Sequence, residues 1–125
     1  MRILVTWGSK RGGTEGIGLM LGDALRWEGL DASAMPAAKV QSIAGFDAVI
    51  VGGALYANRW HRAAHRFVSR HEKTLREVPV WFFSSGPLDD SAAQRAIPPI
   101  TEVELLMERV GSREHVTFGG RLAAD

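Results

Sequence analysis

The chain has 125 residues, 46% of them hydrophobic and 23% charged, which is enough for one globular domain with a hydrophobic core. Its formal net charge of +1 gives no basis for attraction to nucleic acid or membranes through bulk charge. The absence of cysteine excludes disulfides, thiolate nucleophiles and zinc–thiolate sites. No apolar run approaches the ~20 residues of a membrane span, and we expect one cytoplasmic domain over residues 1–125.

Predicted strands and helices alternate along the chain. A continuously apolar run at 3–7 predicts a buried strand, and helical spacing from Thr14, a candidate N-cap, predicts a helix that stops at Gly29. Further strands are predicted at 30–35, 47–52, 78–84 and 116–118, one helical turn within 39–45, and helices over 60–75 and 101–110. This alternation favours a parallel sheet with right-handed crossovers.

The loops at the carboxyl ends of the strands are where such sheets bind ligands. These loops are predicted at 8–14, 52–61, 84–90 and 119–121, and three of the four are rich in glycine or aromatic residues. We therefore expect a ligand site at this edge.

The first of these loops approaches two known nucleotide motifs without matching either. Gly8 and Gly13 have the spacing of the triphosphate-binding loop, but Thr14 stands where that loop has lysine. A dinucleotide site needs an acid at the end of the second strand, which here ends in residues 33–35, Ser-Ala-Met. A receiver domain needs acids at the ends of the first and third strands, and these are absent too.

A single phosphate fits the loop better. Ser9 and Thr14 supply hydroxyl groups, and Gly12 and Gly13 allow the backbone to curl without Cβ clashes. The loop leads into a helix N-terminus, which favours an anion.

Residues 9–14, Ser-Lys-Arg-Gly-Gly-Thr, resemble the phosphate loop T/S-x-T/S-G-x-T of flavodoxins, with Arg11 in place of the middle hydroxyl. The resemblance implies FMN as cofactor. It also implies a flavodoxin-like α/β three-layer sandwich whose five-stranded parallel sheet has the order 2-1-3-4-5.

Flavodoxin-like proteins hold the isoalloxazine ring between the loops after the third and fourth strands. By resemblance, Tyr56 and Trp60 are candidates to stack on the ring, although Trp60 could instead begin the buried stripe of a helix. Ser85 and Gly86 could offer backbone groups to the pyrimidine edge, unless 85–88 is a plain turn. The cofactor-binding residues implied are Ser9, Lys10, Arg11, Gly12, Gly13, Thr14, Ala54, Leu55, Tyr56, Trp60, Ser85, Gly86 and Pro87.

The Trp60-His61 pair and the helix after it resemble the branch that contains menaquinone-dependent protoporphyrinogen oxidases. This resemblance implies an FMN-dependent oxidoreductase passing electrons to a quinone or other small acceptor. The alternatives are an electron carrier that docks on redox proteins and a flavin-free regulatory or binding module. His61 is the one catalytic candidate, with helix capping as its alternative role. His65, His71 and His115 show no partner pattern for catalysis or metal binding.

Flavodoxin-like folds normally close with a helix after the fifth strand, and this sequence ends at Asp125 without one. We therefore expect part of the sheet to be bare, with a homo-oligomer as one way to cover it.

Two charge patterns complete the predictions. Arg59, Arg62, Arg66 and Arg70 recur at helical spacing and indicate either a solvated face or docking of an anionic partner or substrate. The predicted site loops carry three cations against three acids: Lys10, Arg11 and Arg59 against Glu15, Asp89 and Asp90. Electron-carrier flavodoxins surround FMN with acids, so we expect a second reduction step less disfavoured than theirs.

Overall fold

Strand β1 (Arg2–Gly8) is the first strand in the chain, and its buried side chains point alternately to the two faces of the sheet. The computed structural model describes residues 1–8, 12–56, 59–86, 101–112 and 114–119. The other strands are β2 (Asp31–Pro36), β3 (Ala48–Tyr56), β4 (Arg59–Trp60), β5 (Val80–Gly86) and β6 (Glu114–Gly119). The helices are α1 (Gly12–Trp27), α2 (Arg62–Arg70), α3 (Glu72–Leu75) and α4 (Thr101–Val110).

Five of the strands are parallel and lie in the order β2-β1-β3-β5-β6. The sequence does not predict the short strand β4, so β5 and β6 are the fourth and fifth predicted strands, and the predicted order 2-1-3-4-5 is confirmed. The short strand β4 folds back and pairs antiparallel with the end of β3, Leu55 opposite Trp60. Leu4 and Val5 point to opposite faces and are both completely buried. This two-sided burial is why β1 is continuously apolar instead of alternating.

The two faces of the sheet carry separate cores, as a three-layer sandwich requires. On one face, α1 covers a small cluster of Val5, Trp7, Ile17 and Phe83. On the other face, α2, α3 and α4 cover a larger cluster that includes Leu4, Val51, Phe67, Phe82, Leu75 and Leu106.

Three local predictions need correction. Helix α1 begins at Gly12, so Thr14 lies in its first turn and is not its N-cap. The helix expected over 60–75 is divided, because Trp60 pairs with β3 and the backbone of His71 (φ −107°, ψ 16°) separates α2 from α3. The helical turn expected in 39–45 is a 3-10 turn at Ala37–Lys39.

Gly29 ends α1 as predicted. Its φ of +88° is a conformation that glycine adopts easily, and Leu30 N–H donates to the carbonyl of Leu25 across the turn. Of the predicted loop over 84–90, residues 87–90 lie outside the described residues, as do residues 120–121 of the loop predicted at 119–121.

An apolar groove of about 320 Å³ lies beside α1. Its lining is entirely apolar and comes from α1 and four strands: Leu21, Leu25, Ile3, Ile50, Trp81, Phe82, Phe83 and Val116. Val116, on the outermost strand β6, is 46% exposed.

Candidate functional site

The carboxyl edge of the sheet gathers the predicted site residues that the structure describes. The strand register places Gly8 beside Gly53, and Ala54 beside Ser85, so the ends of β1, β3 and β5 are level. The chain passes from β1 into α1 at this edge. Ser9, Lys10, Arg11 and Pro87, which the sequence also predicts as site residues, lie outside the described residues.

A buried pair of hydroxyl groups joins the start of α1 to the end of β5. Thr14 Oγ1 and Ser85 Oγ lie 2.6 Å apart, and the two residues are only 2% and 7% exposed. One hydroxyl donates a hydrogen bond to the other, and the one that accepts can donate its own O–H to a third group. The first turn of α1 adds the positive end of the helix dipole. An anion is the acceptor that both features favour.

Gly13 stands in the same turn and is exposed. Apart from its chain neighbours and the backbone of its own helix, no atom of the described residues lies within 4 Å of the position that a Cβ would occupy. Among the described residues, this side of the first turn of α1 is therefore open. The sequence predicts that backbone groups of Ser85 face the pyrimidine edge of a flavin. The structure adds that the Ser85 side chain contacts Thr14, the residue predicted to bind the phosphate.

The glycine pair in β3 has a packing role that the sequence does not reveal. A Cβ on Gly52 would lie 1.9 Å from the Phe83 ring, and one on Gly53 would lie 2.5 Å from the indole of Trp60. Each glycine thus makes room for an aromatic ring.

Trp60 lies in the core, 3% exposed, with its ring stacked on Phe82 at a centroid distance of 5.3 Å and an interplanar angle of 13°. Stacking on a flavin would require the indole to leave this packing. Ala54 is buried and Leu55 is half-buried at the end of β3, next to Tyr56, whose backbone alone is described.

His61 caps α2. The ring nitrogen Nδ1 of His61 accepts a hydrogen bond of 3.0 Å from the backbone N–H of Ala63. The backbone N–H of His61 donates to the Ala54 carbonyl. Because Nδ1 is the acceptor, the neutral ring carries its proton on Nε2. The capping role that the sequence offers as an alternative is therefore present.

Glu102, in the first turn of α4, joins three elements and is absent from the sequence predictions. Its Oε1 accepts a hydrogen bond of 3.1 Å from the backbone N–H of Trp60 and lies 4.0 Å from Arg59 Nε. Its Oε2 lies 2.5 Å from His65 Nδ1. Glu102 thereby ties β4 and α2 to α4. A single sequence carries no signal for contacts over such separations.

His115 also has a partner that the sequence does not indicate. Its Nε2 lies 2.8 Å from Ser84 Oγ, while Nδ1 is buried with no hydrogen-bond partner in the described part of the chain. Burial lowers the pKa of His115 to about 4, so the ring is neutral at pH 7. A histidine–serine contact without an acid is no hydrolytic triad.

Two further site types are not seen. No group of three or more histidine or acidic residues in the described ranges is arranged to hold a metal ion. None of the helices described is long and apolar enough to cross a membrane.

A doubly wound parallel sheet with a buried hydroxyl pair beside a helix N-terminus at its carboxyl edge is typical of the nucleotide- and flavin-binding α/β proteins. Residues 4–125 match the family model for the flavodoxin domain, and the chain belongs to this family. Family membership indicates FMN as its cofactor, and the hydroxyl pair and open first turn of α1 are suited to a phosphate.

Solved structures show the same fold at low sequence identity. A flavodoxin mutant from Pseudomonas aeruginosa aligns with a TM-score of 0.72 and 19% identity, over 95% of this chain and 84% of that one. Two-electron reduced Megasphaera elsdenii flavodoxin gives 0.72 and 13%, over 94% and 85%. Rubredoxin oxygen:oxidoreductase from Desulfovibrio gigas gives 0.73 and 15%, over 95% of this chain but 30% of that one. No curated protein matches the sequence.

Proposed function

We propose that this chain is an FMN-dependent oxidoreductase domain that passes electrons to a quinone or another small acceptor. The observation that carries the proposal is the buried Thr14–Ser85 hydroxyl pair, which faces the N-terminus of α1 at the carboxyl edge of a flavodoxin sheet. Bound FMN would supply one- and two-electron transfer, and the protein would supply binding and tuning.

The phosphate would be held by the first turn of α1. Thr14 provides a hydroxyl donor, with Ser85 fixing its direction. Backbone N–H groups at Gly12 and Gly13 lack partners within the helix, since the first four N–H groups of any helix do. Ser9, Lys10 and Arg11 stay predicted phosphate ligands.

The flavin ring would lie between the ends of β3 and β5. Ala54, Leu55 and Gly86 would offer backbone groups, with Pro87 as the next residue along the chain. Because Trp60 is committed to the core, we assign ring stacking to Tyr56.

A binding experiment tests the proposal. We expect the purified protein to bind one FMN per chain, measured by quenching of FMN fluorescence, and to bind riboflavin more weakly because riboflavin lacks the phosphate. A protein that binds neither ligand would refute the redox function and leave the flavin-free binding module.

Turnover distinguishes an enzyme from a carrier. We expect the FMN-loaded protein, after each reduction by one equivalent of dithionite, to be reoxidised by menaquinone with no partner protein present, two electrons passing from the reduced flavin to the quinone. The activity of the porphyrinogen oxidase branch is tested in the same assay with protoporphyrinogen as donor. If electrons reach only protein acceptors, the chain is an electron carrier.

A further inference from the structure

Three arginines on α2 stand apart from the other described arginines in having no acidic partner. Arg62, Arg66 and Arg70 are exposed and follow one another at steps of four residues, which places them on one side of the helix. Within the described ranges, none of the three lies within 4.0 Å of a carboxylate. Each of the other five does: Arg2 with Asp31, Arg26 with Asp23, Arg59 with Glu102, and Arg76 and Arg109 with Glu72.

This arginine face, defined as Arg62, Arg66 and Arg70, begins at the proposed flavin site. Helix α2 starts directly after β4 and His61, at the carboxyl edge of the sheet. Arg70 is eight positions after Arg62, so the face extends about 12 Å from that edge at 1.5 Å per residue.

Two of the three arginines also line a groove beside α2. A groove of about 200 Å³ separates α2 from the turn at Ala37–Lys39, and Arg66 and Arg70 line it together with His71. Burial and, after it, the nearby Arg70 guanidinium lower the pKa of His71, which favours the neutral ring. Like charges four residues apart on a helix repel each other, and among the described residues no carboxylate within 4.0 Å compensates the charges of these three arginines.

We propose that the arginine face docks an acidic electron-transfer protein against the flavin edge; this inference rests on the proposed function. Unpaired guanidinium groups form bidentate contacts with carboxylates, and a cationic face steers an acidic partner towards it. A one-electron donor held here would be oxidised by one electron while FMN is reduced by one. The face thereby places the donor next to the cofactor.

Two other anionic partners fit less well. A membrane surface calls for apolar side chains beside the cations. In the part of the chain that the structure describes, the exposed large hydrophobic residues are on elements other than α2: Met1, Leu19, Met20, Trp27, Leu105 and Val116. Nucleic acid calls for a basic patch with a strongly basic overall balance, whereas the net charge is +1.

The test measures reduction of the FMN-loaded protein by a reduced acidic [2Fe–2S] ferredoxin in stopped flow. We expect the bimolecular rate constant to fall as ionic strength rises from about 20 to about 500 mM, because salt screens the attraction. We expect R62Q/R66Q/R70Q to lower the low-salt rate roughly tenfold or more. The control R2Q/R26Q/R109Q removes the same charge elsewhere and should lower it much less.

Further measurements separate the outcomes. FMN affinity and reduction by dithionite should be the same in the triple variant and the wild type; absence of FMN binding in the wild type would instead refute the proposed function. A salt-independent ferredoxin rate, or equal losses in both triple variants, would overturn the docking proposal alone. Binding of phosphatidylserine vesicles or duplex DNA through these arginines, with no effect on the ferredoxin rate, would also overturn it.

Discussion

Thr14 and Ser85 are 71 residues apart in the sequence, yet their hydroxyl oxygens lie 2.6 Å from each other in a buried position. The contact joins the first turn of α1 to the end of β5 across the end of β3. Loss of either hydroxyl would affect both the local packing and any anion that the pair binds.

Thr14→Val keeps the shape of the side chain and removes the hydroxyl. We expect it to weaken FMN binding about 10–100-fold, since a hydrogen bond to a charged group contributes about 1.5–3 kcal/mol. Riboflavin binding should change little, and Thr14→Ser should retain most of the FMN affinity. Fluorescence titration with both ligands checks this; equal losses for FMN and riboflavin would contradict the phosphate role.

The close approach of β1 to α2 can be tested by a substitution at Gly8. A Cβ at this position would lie 2.3 Å from the backbone nitrogen of Ala64, which cannot move without shifting the helix. We expect Gly8→Ala to destabilise the fold by about 1–3 kcal/mol, the usual range for overpacking. The matched control is Gly16→Ala in α1, where a Cβ would meet nothing within 4 Å. Helix propensity predicts that it stabilises by up to about 1 kcal/mol, and urea unfolding measures both.

His115 should make stability depend on pH. Its pKa is about 4 in the folded protein and near 6.5 when unfolded, so the unfolded chain binds more protons between these values. The stabilisation is complete above pH 6.5 and is lost as the pH falls towards 4. Allowing for solvent screening at a partly exposed ring, we expect a loss of about 1–2 kcal/mol.

The control is His115→Gln, which removes the titration and keeps an amide able to reach Ser84. Its unfolding free energy, measured in urea from pH 4 to pH 7, should have a shallower slope than that of the wild type. The slope that remains includes His71, whose pKa is lowered in the same direction. Identical slopes in the two proteins would show that His115 is not the group responsible.

Glu102 should stabilise the junction of β4, α2 and α4. Glu102→Ala leaves the Trp60 N–H and His65 without their acceptor. We expect a loss of about 1–3 kcal/mol in unfolding free energy, the usual cost of unpaired buried polar groups. Glu102→Gln keeps an acceptor oxygen and should lose less; an equal loss in both variants would mean that charge, not hydrogen bonding, is the main contribution.

Arg59 offers a test of the flavin's electrostatics. Its side chain is 79% exposed and lies near Glu102 at the proposed site. We expect Arg59→Gln to make the second one-electron potential of bound FMN more negative, since a cation that favours the fully reduced anion is lost. Arg26→Gln, at the far end of α1, should leave the potential unchanged. A redox titration followed by absorbance measures both.

The parallel sheet follows from the sequence because strand and helix patterns alternate along the chain. The order of its strands is implied instead by the resemblance of residues 9–14 to the flavodoxin phosphate loop. Neither the alternation nor the resemblance predicts the contacts of Trp60 and Ser85. A tryptophan at the start of an amphipathic pattern can stack on a ligand or on Phe82, and local periodicity is the same in both cases. The Thr14–Ser85 and Glu102 contacts depend on how separate elements meet, which spacing along one chain does not encode.

The adjacent glycines of β3 have a consequence for the centre of the fold. Phe83 belongs to the small cluster under α1 and lies against Gly52, whereas Trp60 belongs to the larger cluster on the opposite face and lies against Gly53. At this point two aromatic rings are separated by little more than one layer of backbone. A methyl group at Gly52 would press on one core and a methyl group at Gly53 on the other, so two neighbouring positions in the chain report separately on the two sides of the sheet.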